Sequence, residues 1–360
     1  MAQSTVLIAG ASGLVGRAAV GHFARQPGWR TIALSRRAPE VDVEVEHLGV
    51  DLMDGAGVGA LAPRLAGGAH LVYAALMEKP GLVRGWRDRE QMAANIAMLR
   101  NLFEPLAAHA GSLRHVSLLQ GTKAYGAHLH PVPVPARENA PRDPHENFYW
   151  LQEDYLRDRR AGAQWALTVW RPQVVFGHAA GSPMNVLAAL GAYAAICRER
   201  NLPFAYPGGP GYANEAIDAR LLARALHWAA QSPAARDATF NVTNGDVFDW
   251  PSLWPALAGI FALPPGPAAP QRLAETLPPL ESHWREAVRR HGLRDLSLQE
   301  FAGDSLQYAD FLLAPQARQA PPPVLVSTIR LRQAGFGDCI DTVDMLRELV
   351  DDMRRRRYLP

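Results

Sequence analysis

Thr5-Val6-Leu7-Ile8-Ala9, followed by Gly10-Ala11-Ser12-Gly13-Leu14-Val15-Gly16, is the stretch whose reading decides the fold. The first five residues are apolar or β-branched without alternation, which reads as a strand buried on both faces. The glycines that follow have the spacing GxxGxxG and open a helix that should run to about Arg25. A strand entering a helix through a glycine turn begins a strand–helix–strand unit, and the unit recurs. Thr31–Leu34, Val45–Val50, His70–Ala74, Arg114–Leu119 and Ala166–Trp170 supply five more apolar runs. Helical stretches such as Arg87–His109 and Asn147–Arg160 lie between them. Unalternating strands separated by helices predict an α/β fold, a doubly wound parallel sheet covered on both faces.

Beyond about Phe176 the alternation stops. Helices over Pro183–Arg200 and Ala216–Gln231 flank the turn Pro207-Gly208-Gly209-Pro210-Gly211, and Ala238–Val242 reads as a late strand. Proline clusters at Leu263–Pro270, Pro278-Pro279 and Pro321-Pro322-Pro323 exclude helix interiors and mark connectors. The expected organisation is a sheet domain over residues 1–180 with a returning segment at about 212–248. Residues 181–211 and 249–360 then form a smaller, mostly helical C-terminal lobe. Since Phe240–Phe248 goes back to the first domain, the lobe is not expected to fold alone. The closing Arg354-Arg355-Arg356-Arg357 follows Asp351-Asp352 and reads as a solvated helix end, where cations suit the macrodipole.

Composition narrows the function classes. The chain has 360 residues, 48% hydrophobic and 20% charged, which excludes collagenous and disordered readings. Its 37 basic and 35 acidic side chains give a net charge of +2, no footprint for a nucleic-acid binder. Two cysteines, Cys197 and Cys339, cannot build a disulfide framework or a zinc site alone and suit a reducing compartment. No apolar run reaches the ~20 residues of a membrane-spanning helix. The N-terminus runs straight into a strand without an export signal. A cytoplasmic location is therefore expected, with neither nucleic acid nor membrane as partner.

The glycine loop places a dinucleotide site. Gly10 permits the tight turn, Gly13 lets backbone approach a pyrophosphate, and Gly16 lets the helix pack on the strand. Amides around Ser12, Leu14 and Val15 then face the phosphates at the helix N-terminus. This makes the sheet Rossmann-type. At the end of the second strand an NAD site carries an acid that holds the ribose hydroxyls. Here the residues are Ser35-Arg36-Arg37, whose guanidiniums suit a 2′-phosphate. NADP(H) is the expected cofactor. Asp51-Leu52 after the third strand should reach the adenine edge. Ala74, Ala75, Gln120, Pro172, Val174 and Val175, at the ends of later strands, complete the expected cofactor contacts.

The reacting groups depart from the usual pattern. Most short-chain dehydrogenase/reductases carry Tyr-x-x-x-Lys on the helix after the fifth strand, but four residues after Tyr149 stands Glu153. The fifth strand ends Leu118-Leu119-Gln120-Gly121-Thr122-Lys123-Ala124-Tyr125-Gly126. Where extended members place a catalytic Ser or Thr, four before the Tyr of Tyr-Gly, this chain has Gly121. Lys123 has appeared in the same turn. The ammonium has moved from helix to loop and the serine is gone.

The pair Leu-Gln-Gly-Thr-Lys-x-Tyr-Gly and Asn-Phe-Tyr-x-x-x-Glu-Asp resembles the progesterone 5β-reductase/iridoid synthase family of atypical extended short-chain reductases. Further matches are Trp170-Arg171-Pro172 with Phe176-Gly177, Met184-Asn185, Tyr193–Cys197, and Phe240–Phe248 with Trp250. They run from residue 5 to nearly 360. The resemblance implies NADPH-dependent 1,4-reduction of an enone or enal, with Tyr149 and Lys123 as the catalytic tyrosine and lysine that stabilise the enolate. A nearby cation should lower the pKa of the Tyr149 phenol. Trp150 replaces a second aromatic hydroxyl that is frequent in the family, and Ala124 replaces a histidine. Phe148, Trp150, Met184 and Tyr193 are the candidates for an apolar substrate pocket, and Asn95 should brace the sheet near the site.

His128, His130 and His145 flank the proline-rich loop between Gly126 and Asn147, without the ligand spacing of a metal site; no metal is expected, and the segment reads as a plain loop or as a cover over the substrate. The expected partner is a small apolar enone, enal or ketone, and a homodimer is compatible with this. Two rival functions remain. One is NADPH-dependent carbonyl reduction or alcohol oxidation, because the same tyrosine and lysine can protonate an alkoxide. The other is a non-catalytic NADP-binding sensor.

Overall fold

The computed structural model describes residues 3–65, 69–82, 85–108 and 113–360. Seven parallel strands form the main sheet: β1 (Ser4–Ala9), β2 (Trp29–Ser35), β3 (Glu46–Gly49), β4 (His70–Tyr73), β5 (His115–Leu119), β6 (Ala166–Pro172) and β7 (Ala238–Val242). Their order across the sheet is β7-β6-β5-β4-β1-β2-β3. The chain leaves β1 in one direction through β2 and β3, then crosses to β4 on the other side. That reversal opens a crevice at the carboxyl ends of β1 and β4, where ligands bind in doubly wound sheets.

The helices that matter for the site are α1 (Leu14–Phe23), α2 (Arg89–Ala108), α3 (Phe148–Arg160), α4 (Val186–Glu199), α5 (Ala219–Gln231), α6 (Ser305–Leu313) and α7 (Thr342–Arg355). Period-two alternation sends Val6 and Ile8 of β1 to one face and Leu7 and Ala9 to the other, all fully buried. On the first face they meet Phe23 of α1 and Leu222 and Leu226 of α5. On the second they meet Leu99 and Phe103 of α2 and Leu156 of α3. Each such apolar side chain contributes roughly 1.5–3 kcal/mol of burial. The lobe has its own core, in which α4 is buried all round from Val186 to Cys197 and packs with Trp254, Trp284 and Phe301.

The expected strands appear within two residues of their bounds, and Ala238–Val242 pairs with β6 as the returning strand. Arg87–His109 becomes α2, with His109 outside the described residues. Ala216–Gln231 is corrected: Ala216–Asp218 is a short strand parallel to Val174–Phe176, and α5 starts only at Ala219. The buried Asp218 carboxylate accepts the Arg220 amide at 2.7 Å, which fixes the helix start there. Asn185 likewise caps α4, so Pro183 and Met184 lie outside it. The terminal arginines are not merely solvated. Arg354 donates to the Ile260 and Pro360 carbonyls, and Arg356 pairs with Asp352 and Asp42, tying the end of α7 into the fold. No helix among the described residues is long and apolar enough to cross a membrane.

Candidate active site

A cavity of about 660 Å³ follows the carboxyl edge of the sheet, from the β1–α1 turn to segments near Met184, Glu215, Tyr308 and Pro322. At one end the backbone makes the shape. Gly10 has φ +77°, and a Cβ there would stand 2.6 Å from the Ala74 carbonyl oxygen. Only glycine fits. Gly13 is the N-cap of α1 and makes no side-chain capping bond, so the first-turn amides are left for whatever fills the cavity. Gly16 is not in the cavity wall; a Cβ on it would come 2.1 Å from the Gly10 carbonyl oxygen, so its role is helix packing.

Ser12, Leu14 and Val15 line this end, with Ser35, Arg36, Arg37, Asp51 and Leu52 along the next edge. The Ser35 hydroxyl donates to the Arg37 carbonyl at 2.6 Å and shapes that turn, while both arginine side chains stay exposed. Ala74, Ala75, Gln120, Pro172, Val174 and Val175 continue the wall toward the other end.

There the chemistry-bearing side chains converge from separate elements. Tyr149 sits in the first turn of α3, whose cap Asn147 accepts the Tyr149 amide at 3.0 Å. The same Asn147 donates to the Lys123 carbonyl at 3.3 Å, fastening the helix start to the turn after β5. Lys123 and Tyr149 line one cavity. A Cβ on Gly121 would lie 3.3 Å from the Tyr149 phenol oxygen, so the missing serine leaves that oxygen uncrowded. Lys123 is 14% exposed, its ammonium 4.1 Å above the Trp86 ring and 3.7 Å from a Glu78 carboxylate oxygen.

The electrostatics correct one expectation. Burial, the Glu78 carboxylate and the Tyr308 phenol all push the Tyr149 phenol above its usual value. The lysine charge is matched by Glu78 and does not pull the phenol down. Burial lowers the Lys123 ammonium to about 8, and Glu78 opposes that fall.

Glu153, in the position usually held by lysine, faces away from the cavity. It accepts Gln120 Nε2 and Arg157 Nε at 2.9 Å each and pairs with Arg142 and Arg171. Burial pushes its carboxyl up, but Gln120, Arg157 and Arg142 hold it below the usual range.

Two pocket expectations are corrected. Trp150 lies outside the cavity wall, under the guanidiniums of Arg142 (4.6 Å) and Arg171 (5.5 Å). Trp150 stands about 100° further round the helix than Tyr149, which turns its ring toward those arginines. Tyr193 belongs to the lobe core, donating to the Ala205 carbonyl at 3.1 Å and packing on Phe204. Phe148 and Met184 do line the cavity. Asn95 exchanges two hydrogen bonds with the Met77 backbone and so braces the segment after β4. His128 reaches the cavity wall, while His130 and His145 each bond Asp143 at 2.6 Å. Among the described residues no group of three His, Cys, Asp or Glu could hold a metal ion.

Trp86, Tyr212, Glu215, Tyr308 and Phe311 also line the cavity, and Glu78 stands beside Lys123 without forming part of its wall; all six were missed. Glu78 carried a readable signal, an acid just past a strand's carboxyl end. The others come from the lobe or from irregular segments and carry none.

Comparison with known proteins fits this geometry. Residues 83–288 match a PRISE-like Rossmann-fold domain. The (S)-8-oxocitronellyl enol synthase of Camptotheca acuminata is 30% identical over 99% of this chain and 94% of its own. The 3-oxo-Delta(4,5)-steroid 5-beta-reductase of Arabidopsis thaliana is 30% identical over 83% of this chain and 80% of its own. Among solved structures, a UDP-N-acetylglucosamine 4-epimerase from Methanobrevibacter ruminantium superposes with TM-score 0.69 at 15% identity, covering 99% and 100% of the two chains. The UDP-glucose 4-epimerase of Thermus thermophilus gives 0.66 at 18% identity, covering 97% and 99%. These two show the extended short-chain fold.

Proposed function

The chain belongs to the PRISE-like Rossmann-fold family, and on that footing we propose that it is an NADPH-dependent reductase of activated C=C bonds in enones or enals. The observation that carries the reading is the presence of Tyr149 and Lys123 in one cavity wall, with Gly121 leaving the phenol oxygen open. The glycine cradle fits a pyrophosphate against the α1 amides, and Arg36 and Arg37 fit a 2′-phosphate. Asp51 and Leu52 would meet the adenine, and Ala74, Ala75, Gln120, Pro172, Val174 and Val175 the nicotinamide half.

When bound, the cofactor would supply a hydride to the substrate's β-carbon. The Tyr149 hydroxyl and the Lys123 ammonium then face the carbonyl oxygen, where negative charge collects as the enolate forms. A phenol held above its usual value stays protonated and can donate at neutral pH. The α-carbon takes a proton from solvent, so the C=C bond gains one hydride and one proton. Phe148 and Met184 supply the apolar wall of the substrate end, and the loop carrying His128 supports reading residues 126–147 as its cover.

The division of the chain into a nucleotide domain (1–180 with 212–248) and a dependent lobe is proposed on the same footing, supported by β7 pairing with β6. The free thiols Cys197 and Cys339, the second exposed, support the cytoplasmic location. The test is NADPH consumption across steroidal and small enones with product analysis. A saturated carbonyl product is expected; an allylic alcohol would make the enzyme a carbonyl reductase. Tight NADPH binding without hydride transfer to any enone would leave the sensor reading.

A further inference from the structure

We propose that Glu78 is the counter-charge that keeps the Lys123 ammonium protonated inside the cavity while leaving its N–H groups free for substrate, a positioning role that rests on the reductase reading above. The carboxylate is held rigidly. Its side chain is 2% exposed, and one oxygen accepts Gln91 Nε2 at 2.8 Å. Gln91 is itself fully buried and also accepts the Lys79 amide at 2.7 Å, which clamps the segment just past β4. The other Glu78 oxygen stands 3.7 Å from Lys123 Nζ, close enough for strong attraction and too far for a hydrogen bond. Neither that oxygen nor Nζ has a hydrogen-bond partner among the described residues. The Trp86 face holds the ammonium from a second direction, again without taking an N–H.

Among the described residues the surroundings leave this task to Glu78. Tyr149 and Tyr308 are neutral phenols pushed above their usual values, chiefly by burial. Burial and then Lys123 itself push His128 down to about 4, so it adds no charge, and behind it stand Arg87 and His145. Asp143 is engaged by His130 and His145, and Glu215 accepts the Val326 amide. The residue type fits as well. Only two of the 37 basic side chains are lysines, Lys79 and Lys123; every other cation is an arginine, which cannot lose its proton. A buried lysine can, because burial favours the neutral amine. Lys79 is served by Asp88 and Glu90 outside the cavity.

The test uses the two-lysine composition. Full-length protein labelled with 13Cε-lysine gives two titrating lysine signals, of which Lys79 is the internal reference. In Glu78→Gln, which keeps an acceptor for Gln91, the Lys123 titration should move down by about one pH unit or more. The alkaline limb of kcat should move with it, and Glu78→Asp should restore part of both. A Lys123 titration unchanged in folded Glu78→Gln, with the limb unmoved, overturns the proposal. If Glu78→Gln does not fold, Glu78→Asp decides by the same reading, with a smaller downward shift expected and no shift overturning the proposal. A Lys123 signal that moves while turnover ignores it supports the counter-charge but removes Lys123 from catalysis, so the two failures are distinct.

Discussion

The two edges of the main sheet both bury ionisable side chains and treat them in opposite ways. At the amino edge His70 opens β4 and His115 opens β5, each about 95% hidden from solvent and neighbours in register. The Thr168 hydroxyl donates to the Ala235 carbonyl at 2.6 Å, so it accepts from His115 Nε2 at 2.8 Å, and that nitrogen carries the proton. Burial drives His115 down to about 3 and His70 to about 4, and both are neutral structural groups. At the carboxyl edge Lys123 and Glu78 face each other without a hydrogen bond, beside a phenol whose oxygen is uncrowded. At one edge burial keeps both groups neutral, His115 bonded to Thr168 and His70 Nδ1 without a partner; at the other a charged pair is held without a hydrogen bond.

Four experiments test that contrast. The largest effect is expected at the carboxyl edge. Tyr149→Phe and Lys123→Ala should each lower kcat by about 10²–10³ with little change in thermal stability, since each removes a donor to the developing oxyanion. Unchanged kcat in both would end the mechanism. At the amino edge the effect should be on stability and acid-dependent. The folded pKa of each histidine lies below the unfolded value of ~6.5. Full stability therefore holds above pH 6.5 and is lost as pH falls, by about 1.4 kcal/mol per pH unit for each histidine. Denaturant midpoints between pH 6.5 and 5 should show this slope, and His115→Gln should flatten it without touching kcat.

Smaller effects test the cavity walls. Removing Arg36 and Arg37 together should raise the KM for NADPH about tenfold or more and leave that for NADH nearly unchanged, a loss of roughly 1.5 kcal/mol. Equal effects on both cofactors would detach those arginines from the 2′-phosphate. Gly121→Ala places a methyl 3.3 Å from the phenol oxygen and should lower kcat less than about tenfold, with the NADPH KM unmoved.

What could be read from the sequence follows the same line. The cradle was legible because its demands are local: the positive φ of Gly10 and the tight Gly16 contact are each met within a few residues or at the adjacent strand end. The strand count was legible because strands buried on both faces are continuous apolar runs. Tyr149 and Lys123 were visible as a displaced pattern, and their shared cavity supports the reading. Glu78 was legible only as an acid past a strand's carboxyl end, and Trp86 not at all, since their burial depends on α2 and on packing around the turn after β5. Trp150 and Tyr193 misled for one reason: an aromatic on a helix near a site is assigned a face only by what the helix packs against. Asp218 broke an expected helix because a buried cap outweighs the helical pattern around it.

The Glu153 knot bears on how such a chain can change over generations. Glu153 stands where a lysine would rebuild the usual Tyr-x-x-x-Lys pair, yet it is the carboxylate on which Arg142, Arg157 and Arg171 converge. Glu153→Lys would set a buried cation beside the buried Arg171 and the half-exposed Arg142 and Arg157, and remove the carboxylate that Gln120 donates to, an unpaired arrangement that costs several kcal/mol. A return to the ordinary pattern therefore needs several coordinated substitutions, and the intermediates along that route are unstable. The packing around Glu153 thus holds the ammonium on the loop as firmly as the cavity chemistry does.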